Sequence, residues 1–143
     1  MPARVKVRAV IWVNGRLVVH RERRQGMPYV TLPGGRVNDR ESVTDALRRE
    51  VLEEVGLEID IGDLLCAGEV MGSPTQQDVE LLFDARPRGA LDEERLHLLD
   101  PADPEADAVL PPVIGALVGL RDPGAPEGPL WLGNVYRSRR EST

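Results

Sequence analysis

The sequence predicts an α/β sandwich, a mixed β-sheet carrying helices on both faces, and three observations point to it. Near the N-terminus Val5, Val7, Ala9, Ile11 and Val13 alternate with Lys6, Arg8, Val10 and Trp12, the period of a strand with one fully buried face. A stretch from about Ser42 to Val55 has helical periodicity and follows the turn Leu32-Pro33-Gly34-Gly35. A second stretch, about Pro112 to Leu120, is apolar nearly all round and opens on paired prolines, which a helix tolerates in its first turn. The chain of 143 residues reads as one domain, large enough to bury roughly two-thirds of its unfolded surface.

The elements follow in order. Asn14-Gly15 is a strong hairpin signal, and Leu17-Val18-Val19 is the returning strand. Arg21–Gly26 reads as a polar, basic loop closed by Met27-Pro28, and Tyr29–Leu32 as a short strand feeding the glycine turn. Ser42, with Asp45 three residues on, signals the helix start, and Gly56 the left-handed stop. Leu57–Val70 continues into a strand, Met71–Gln77 is a loop, and Val79–Arg86 is a further strand turned at Pro87-Arg88-Gly89. Leu96–Leu99 forms a short strand, and Asp100–Asp107 a loop or single helical turn. After the second helix, Asp122–Pro129 is a linker, Leu130–Tyr136 a terminal strand, and residues 137–143 a frayed tail.

The first helix carries an arrangement that stability alone does not explain. Glu50, Glu53 and Glu54 fall within an arc of about 100°. They form like-charge pairs at i,i+3 and i,i+4, each costing a few tenths of a kcal/mol. They also crowd the last turns, where the helix dipole disfavours negative charge. A cation from outside the chain resolves the conflict. Oxygen donors without His or Cys nearby favour a hard ion, Mg²⁺ or Mn²⁺. The glycine turn leaves backbone carbonyls free to join them, so the unit suits holding Mg²⁺ against a bound phosphate.

The stretch from Gly35 to Leu57 resembles the Nudix box, G-x5-E-x7-R-E-U-x-E-E-x-G-U, where U is an apolar aliphatic residue. Gly35, Glu41, Arg49, Glu50, Val51, Glu53, Glu54, Gly56 and Leu57 fill every defined position without insertion. The resemblance implies the Nudix fold, an α/β/α sandwich with a mixed sheet and the loop–helix motif. It implies Mg²⁺-dependent hydrolysis, with Mn²⁺ as a substitute, of a phosphoanhydride in a nucleoside diphosphate linked to a moiety X. Nucleoside triphosphates, ADP-ribose and nucleotide sugars all fit that description. Glu50, Glu53 and Glu54 would be ligands and base candidates, and Gly35 would supply a carbonyl. Arg49 would orient a carboxylate with Glu41 as its partner.

Outside the box, functional and structural readings compete. Arg21, Arg23 and Arg24 can clamp phosphates or lie on a solvated loop. Arg36 can contact phosphate or point outward. Tyr29 can stack on a base or fill the rim. Family members often carry a further acidic ligand, for which Glu80, Glu93 and Glu94 are the candidates. His20 and His97 stand alone, without metal-ligand spacing, and read as structural. The alternative function is a non-catalytic Nudix-fold sensor that binds a nucleotide, although such domains often carry a degraded box.

Composition narrows the partners. The 24 acidic residues exceed the 18 basic ones, and the net charge of −6 argues against nucleic acid. Small anionic nucleotides remain suitable, because a metal and a few arginines offset the global charge locally. The longest apolar run, Val113–Leu120, is too short to span a membrane. The single cysteine, Cys66, forms no internal disulfide, and the sequence reads as a cytoplasmic protein. Homodimers are what the resemblance implies for assembly. With five aromatic residues in all, the core must be built from Val, Leu, Ile and Ala.

Overall fold

The computed structural model describes residues 2–136, so the tail at 137–143 lies outside the described residues. The strands are β1 (Arg4–Val10), β2 (Trp12–Val13), β3 (Arg16–Arg24), β4 (Met27–Thr31), β5 (Gly34–Arg36), β6 (Ile59–Ser73), β7 (Gln76–Pro87), β8 (His97–Leu99) and β9 (Leu130–Asn134). The helices are α1 (Val43–Val55) and α2 (Ile114–Gly119), with short 3-10 turns at Glu93–Arg95 and Pro104–Ala108. A five-stranded mixed sheet runs β5-β1-β7-β6-β9. In it β1 is antiparallel to β5 and parallel to β7, while β6 is antiparallel to β7 and parallel to β9. A smaller sheet is built on β3, which pairs with β2, β4 and β8.

The alternation along β1 divides the interior into two cores. Val7, Ala9 and Ile11 pack with Ala46, Leu47 and Val51 of α1. Val10, on the opposite face, packs with Leu82, Cys66 and with Ile114 and Leu117 of α2. Helices therefore lie on both faces of the large sheet, and the small sheet shares the second face, through Leu17, Val19 and Val30. No helix among the described residues is long and apolar enough to cross a membrane.

Local signals account for most boundaries. Asn14 (φ 49°) and Gly15 (φ 78°) turn β2 into β3, the left-handed pair that a two-residue hairpin requires. The Ser42 hydroxyl accepts from the Asp45 amide at 3.1 Å, and Gly56 ends α1 at φ 71° with its amide on the Leu52 carbonyl. Two expected loops are hairpins instead. The basic stretch from Arg21 stays in β3 as far as Arg24, and Gln25-Gly26 turns it into β4. Charged side chains are compatible with strand pairing when they point to solvent. Likewise β6 reaches Ser73 and β7 begins at Gln76, leaving Pro74-Thr75 as the turn. The second helix is shorter than its apolar run: Ile114 and Leu117 are buried, whereas Val118 is 41% exposed.

The end of β4 is pinned from a distance. The Leu110 amide donates to Val30 and the Leu32 amide to Leu110, both at 2.9 Å. This anchors the strand just before it enters the glycine turn.

Candidate active site

The glycine turn and α1 meet through backbone that admits no side chain. Gly34 has φ 144°, and a Cβ there would fall 1.9 Å from the Val7 carbonyl oxygen. Its amide donates to Glu54 Oε1 at 2.7 Å. A Cβ on Gly35 would lie 2.8 Å from the Glu50 carboxyl carbon, so the Glu50 carboxylate occupies the space that a side chain would need. Each glycine therefore seats one box glutamate.

Arg49 organises the other carboxylates. Its Nε and Nη2 donate to Glu41 Oε2 and Oε1 at 2.9 and 3.0 Å, a two-point fork. Nη1 donates to Glu50 Oε1 at 2.8 Å and lies 3.5 Å from Glu53 Oε2. Nη2 also reaches the Arg36 carbonyl at 3.2 Å. The hydrogen bonds it donates to Glu41 and then to Glu50 hold Arg49 firmly in its charged form. Arg49, helped by the Asn38 amide, holds the Glu41 carboxyl below the usual carboxylate range.

Glu54 is treated differently. Its side chain is 17% exposed, against 61% for Glu53. Burial pushes its carboxyl up, and the Glu50 charge adds to that; the Gly34 amide, His20 and Arg8 pull it part of the way back. The net direction is upward. His20 Nε2 lies 3.5 Å from Glu54 Oε2 and 3.6 Å from Glu22 Oε2. Sequence reasoning set His20 aside as isolated. Its position depends on β3 pairing with β4, His20 opposite Thr31, which no spacing of His and Glu announces.

The remaining candidates are dispersed. Both terminal nitrogens of the Arg21 guanidinium face Glu105, and Arg23 donates to the Gly26 carbonyl at 3.2 Å. Arg24 lies over the half-buried Tyr29 ring, 4.2 Å from its centre. Arg21, Arg23 and Tyr29 border one cleft of about 280 Å³. Glu93 and Glu94 border another of about 400 Å³, which also includes Arg21, and neither cleft contains Glu50 or Glu54. Arg36 is exposed, and its carbonyl serves Arg49. Glu80 is 4% exposed and faces Arg8.

Among the described residues no three His, Cys, Asp or Glu side chains converge as a ready-made ligand cluster. The donor set nevertheless fits a hard divalent ion. Glu50 is close enough to raise the Glu54 carboxyl, both side chains rest on glycines, and their carboxylates are hard oxygen donors, with His20 Nε2 the nitrogen beside Glu54.

Comparison with known proteins bears on the same region. The chain matches the family model for the NUDIX domain over residues 2–122. A NUDIX hydrolase from Nitrosomonas europaea superposes with a TM-score of 0.69 at 20% identity, over 82% of this chain and 86% of that one. A MutT NUDIX hydrolase from Burkholderia pseudomallei gives 0.58 at 27% identity, over 72% and 87%. An ADP-ribose pyrophosphatase from Streptococcus suis gives 0.61 at 17% identity, over 91% and 99%. No match was found among curated proteins.

Proposed function

The chain belongs to the Nudix hydrolase family and is a Nudix-type pyrophosphohydrolase, and on that premise we propose that it uses Mg²⁺ to cleave a phosphoanhydride of a nucleoside diphosphate linked to a second moiety. The observation that carries the reading is the pair Glu50 and Glu54. These two carboxylates sit one helical turn apart against Gly35 and Gly34, and the Arg49 fork engages Glu50 but not Glu54.

Glu50, Glu53, Glu54 and the Gly35 carbonyl are the residues that would hold the ion. When bound, it neutralises the diphosphate and lowers the pKa of a water. The chain's own residues supply orientation. Arg49, itself fixed by Glu41 and the Arg36 carbonyl, holds one Glu50 oxygen and leaves the other available. Gly34 immobilises Glu54 Oε1, so Oε2 is the oxygen left to receive a proton or a ligand. Fixed carboxylates need no reorganisation during the reaction.

The substrate is read more coarsely. Nudix hydrolases act on small nucleotides, and structural neighbours include an ADP-ribose pyrophosphatase, MutT proteins and a UDP-X diphosphatase. The deciding measurement is a product-resolved screen with Mg²⁺ and Mn²⁺. Nucleoside triphosphates, ADP-ribose, dinucleoside polyphosphates and nucleotide sugars make up the panel. At least one should be cleaved, and Glu54→Gln should reduce that turnover by about 100-fold or more. A folded parent that binds nucleotide in a thermal-shift assay but cleaves none of them would overturn hydrolysis in favour of a sensor.

A further inference from the structure

The face of β1 and β7 that looks away from α1 carries a row of charges that the site residues do not use. Arg4 and Lys6 lie against Asp78, at 2.8 and 3.5 Å. Next along the row, Arg8 Nε donates to Glu80 Oε2 at 3.0 Å and Nη2 to Oε1 at 3.4 Å. The Arg8 and Glu80 side chains are only 6% and 5% exposed. A buried pair of this kind is a weak source of stability, because desolvating two charges offsets most of their attraction. Its value must lie in what else it fixes.

Arg8 has a second set of contacts. Its Nη1 donates to the carbonyls of Leu32 at 3.2 Å and of Gly34 at 3.4 Å, on either side of Pro33 in the glycine turn. Gly34 in turn donates its amide to Glu54. A continuous chain of hydrogen bonds thus runs from Glu80 through Arg8 and the turn to Glu54. Arg8 also attracts the Glu54 carboxylate through space.

Resting on the metal-site reading above, we propose that Arg8 and Glu80 are positioning residues that hold the glycine turn, and through it Glu54, in its ligand-binding arrangement. Glu80 thereby takes a role different from that of a further acidic ligand, since both of its oxygens are spent on Arg8. A guanidinium is required at position 8. Its planar fork serves a carboxylate and two carbonyls at once, which a single ammonium nitrogen does not. Outer residues that orient ligands in this way typically alter metal affinity as strongly as some ligands do.

The row contains its own control. Asp78 is as buried as Glu80 (1% against 4%) and lies on the same strand and face, but its partners are Arg4, Lys6 and Gln76 rather than the turn. Glu80→Gln and Asp78→Asn each remove one buried charge from the same row. The test compares them by NMR hydrogen exchange at the Gly34 amide in metal-free protein, and by Mn²⁺ binding from water-proton relaxation. Glu80→Gln should exchange Gly34 about tenfold faster and bind Mn²⁺ about tenfold more weakly. Asp78→Asn should change neither by more than about twofold, whatever it does to the melting temperature. Arg8→Lys, which keeps the charge, should behave like Glu80→Gln and secures the test should that variant fold poorly. Equal exchange at Gly34 in the Glu80 and Asp78 variants, or parental exchange in Arg8→Lys, overturns the positioning role. A parent that binds no Mn²⁺ sinks the metal reading alone, and the exchange comparison still decides what Arg8 and Glu80 do.

Discussion

Glu54 is held between two opposing demands. Burial favours its neutral form, while the Gly34 amide and His20 favour the carboxylate. The folded protein raises its pKa above the ordinary value of 4.5, so ionisation opposes folding at neutral pH. That cost disappears as pH falls through the folded pKa. Carboxyl-carbon NMR of metal-free protein should therefore place the Glu54 titration above 4.5. His20→Gln, which removes a group favouring the anion, should move it higher still. A downward move would show that His20 does not act on Glu54. By the same reasoning Glu54→Gln keeps an oxygen for Gly34 while losing a desolvated charge. Its melting temperature without metal should equal or exceed the parent's, whereas stabilisation by Mg²⁺ should be lost. A large drop without metal would mean that the carboxylate holds the fold together.

At the scale of elements, α1 and the glycine turn form one unit whose two glycines do different work. Gly34 is required by backbone: an added Cβ meets the Val7 carbonyl at a φ that L-residues avoid. Gly34→Ala should cost about 2 kcal/mol or more in urea unfolding, since neither β1 nor the turn can yield cheaply. Gly35 meets a different constraint: the atoms nearest its added Cβ all belong to the movable end of Glu50. Gly35→Ala should fold with stability close to the parent's and yet bind Mn²⁺ poorly by calorimetry. Equal destabilisation of the two variants would refute the distinction. The helix itself was legible from Ser42 to Gly56, because its caps are local signals. The β3–β4 hairpin was not, because a basic stretch on a solvent-facing strand has the composition of a loop.

For the whole molecule, the large sheet keeps two separate cores, and Cys66 lies fully buried in the one behind α2. Burial alone pushes its thiol up to about 11, so almost no thiolate exists at neutral pH. Labelling of Cys66 by a disulfide reagent in native buffer should therefore follow unfolding of the chain, with a rate that rises in urea alongside loss of far-UV dichroism. Fast labelling without denaturant would show that the second core opens locally. The net negative charge and these arginines coexist because pairing is local, as Arg8 with Glu80 and Arg49 with Glu41 illustrate.

Where information is local, the sequence was sufficient. Box spacing, the Ser42 and Gly56 caps, the Asn14-Gly15 turn and the alternation of β1 depend on residues a few positions apart, and they defined the fold class and the acidic helix. Pairings across long stretches of chain left no such trace. His20 reaches Glu54 only through the register of β3 on β4, and Glu80 meets Arg8 only because β7 lies parallel to β1. In a lone sequence a buried arginine and a solvated one are the same letter. Which arginine clamps a turn and which faces water is decided by sheet order, since strand pairing sets the side chains that share a dry face.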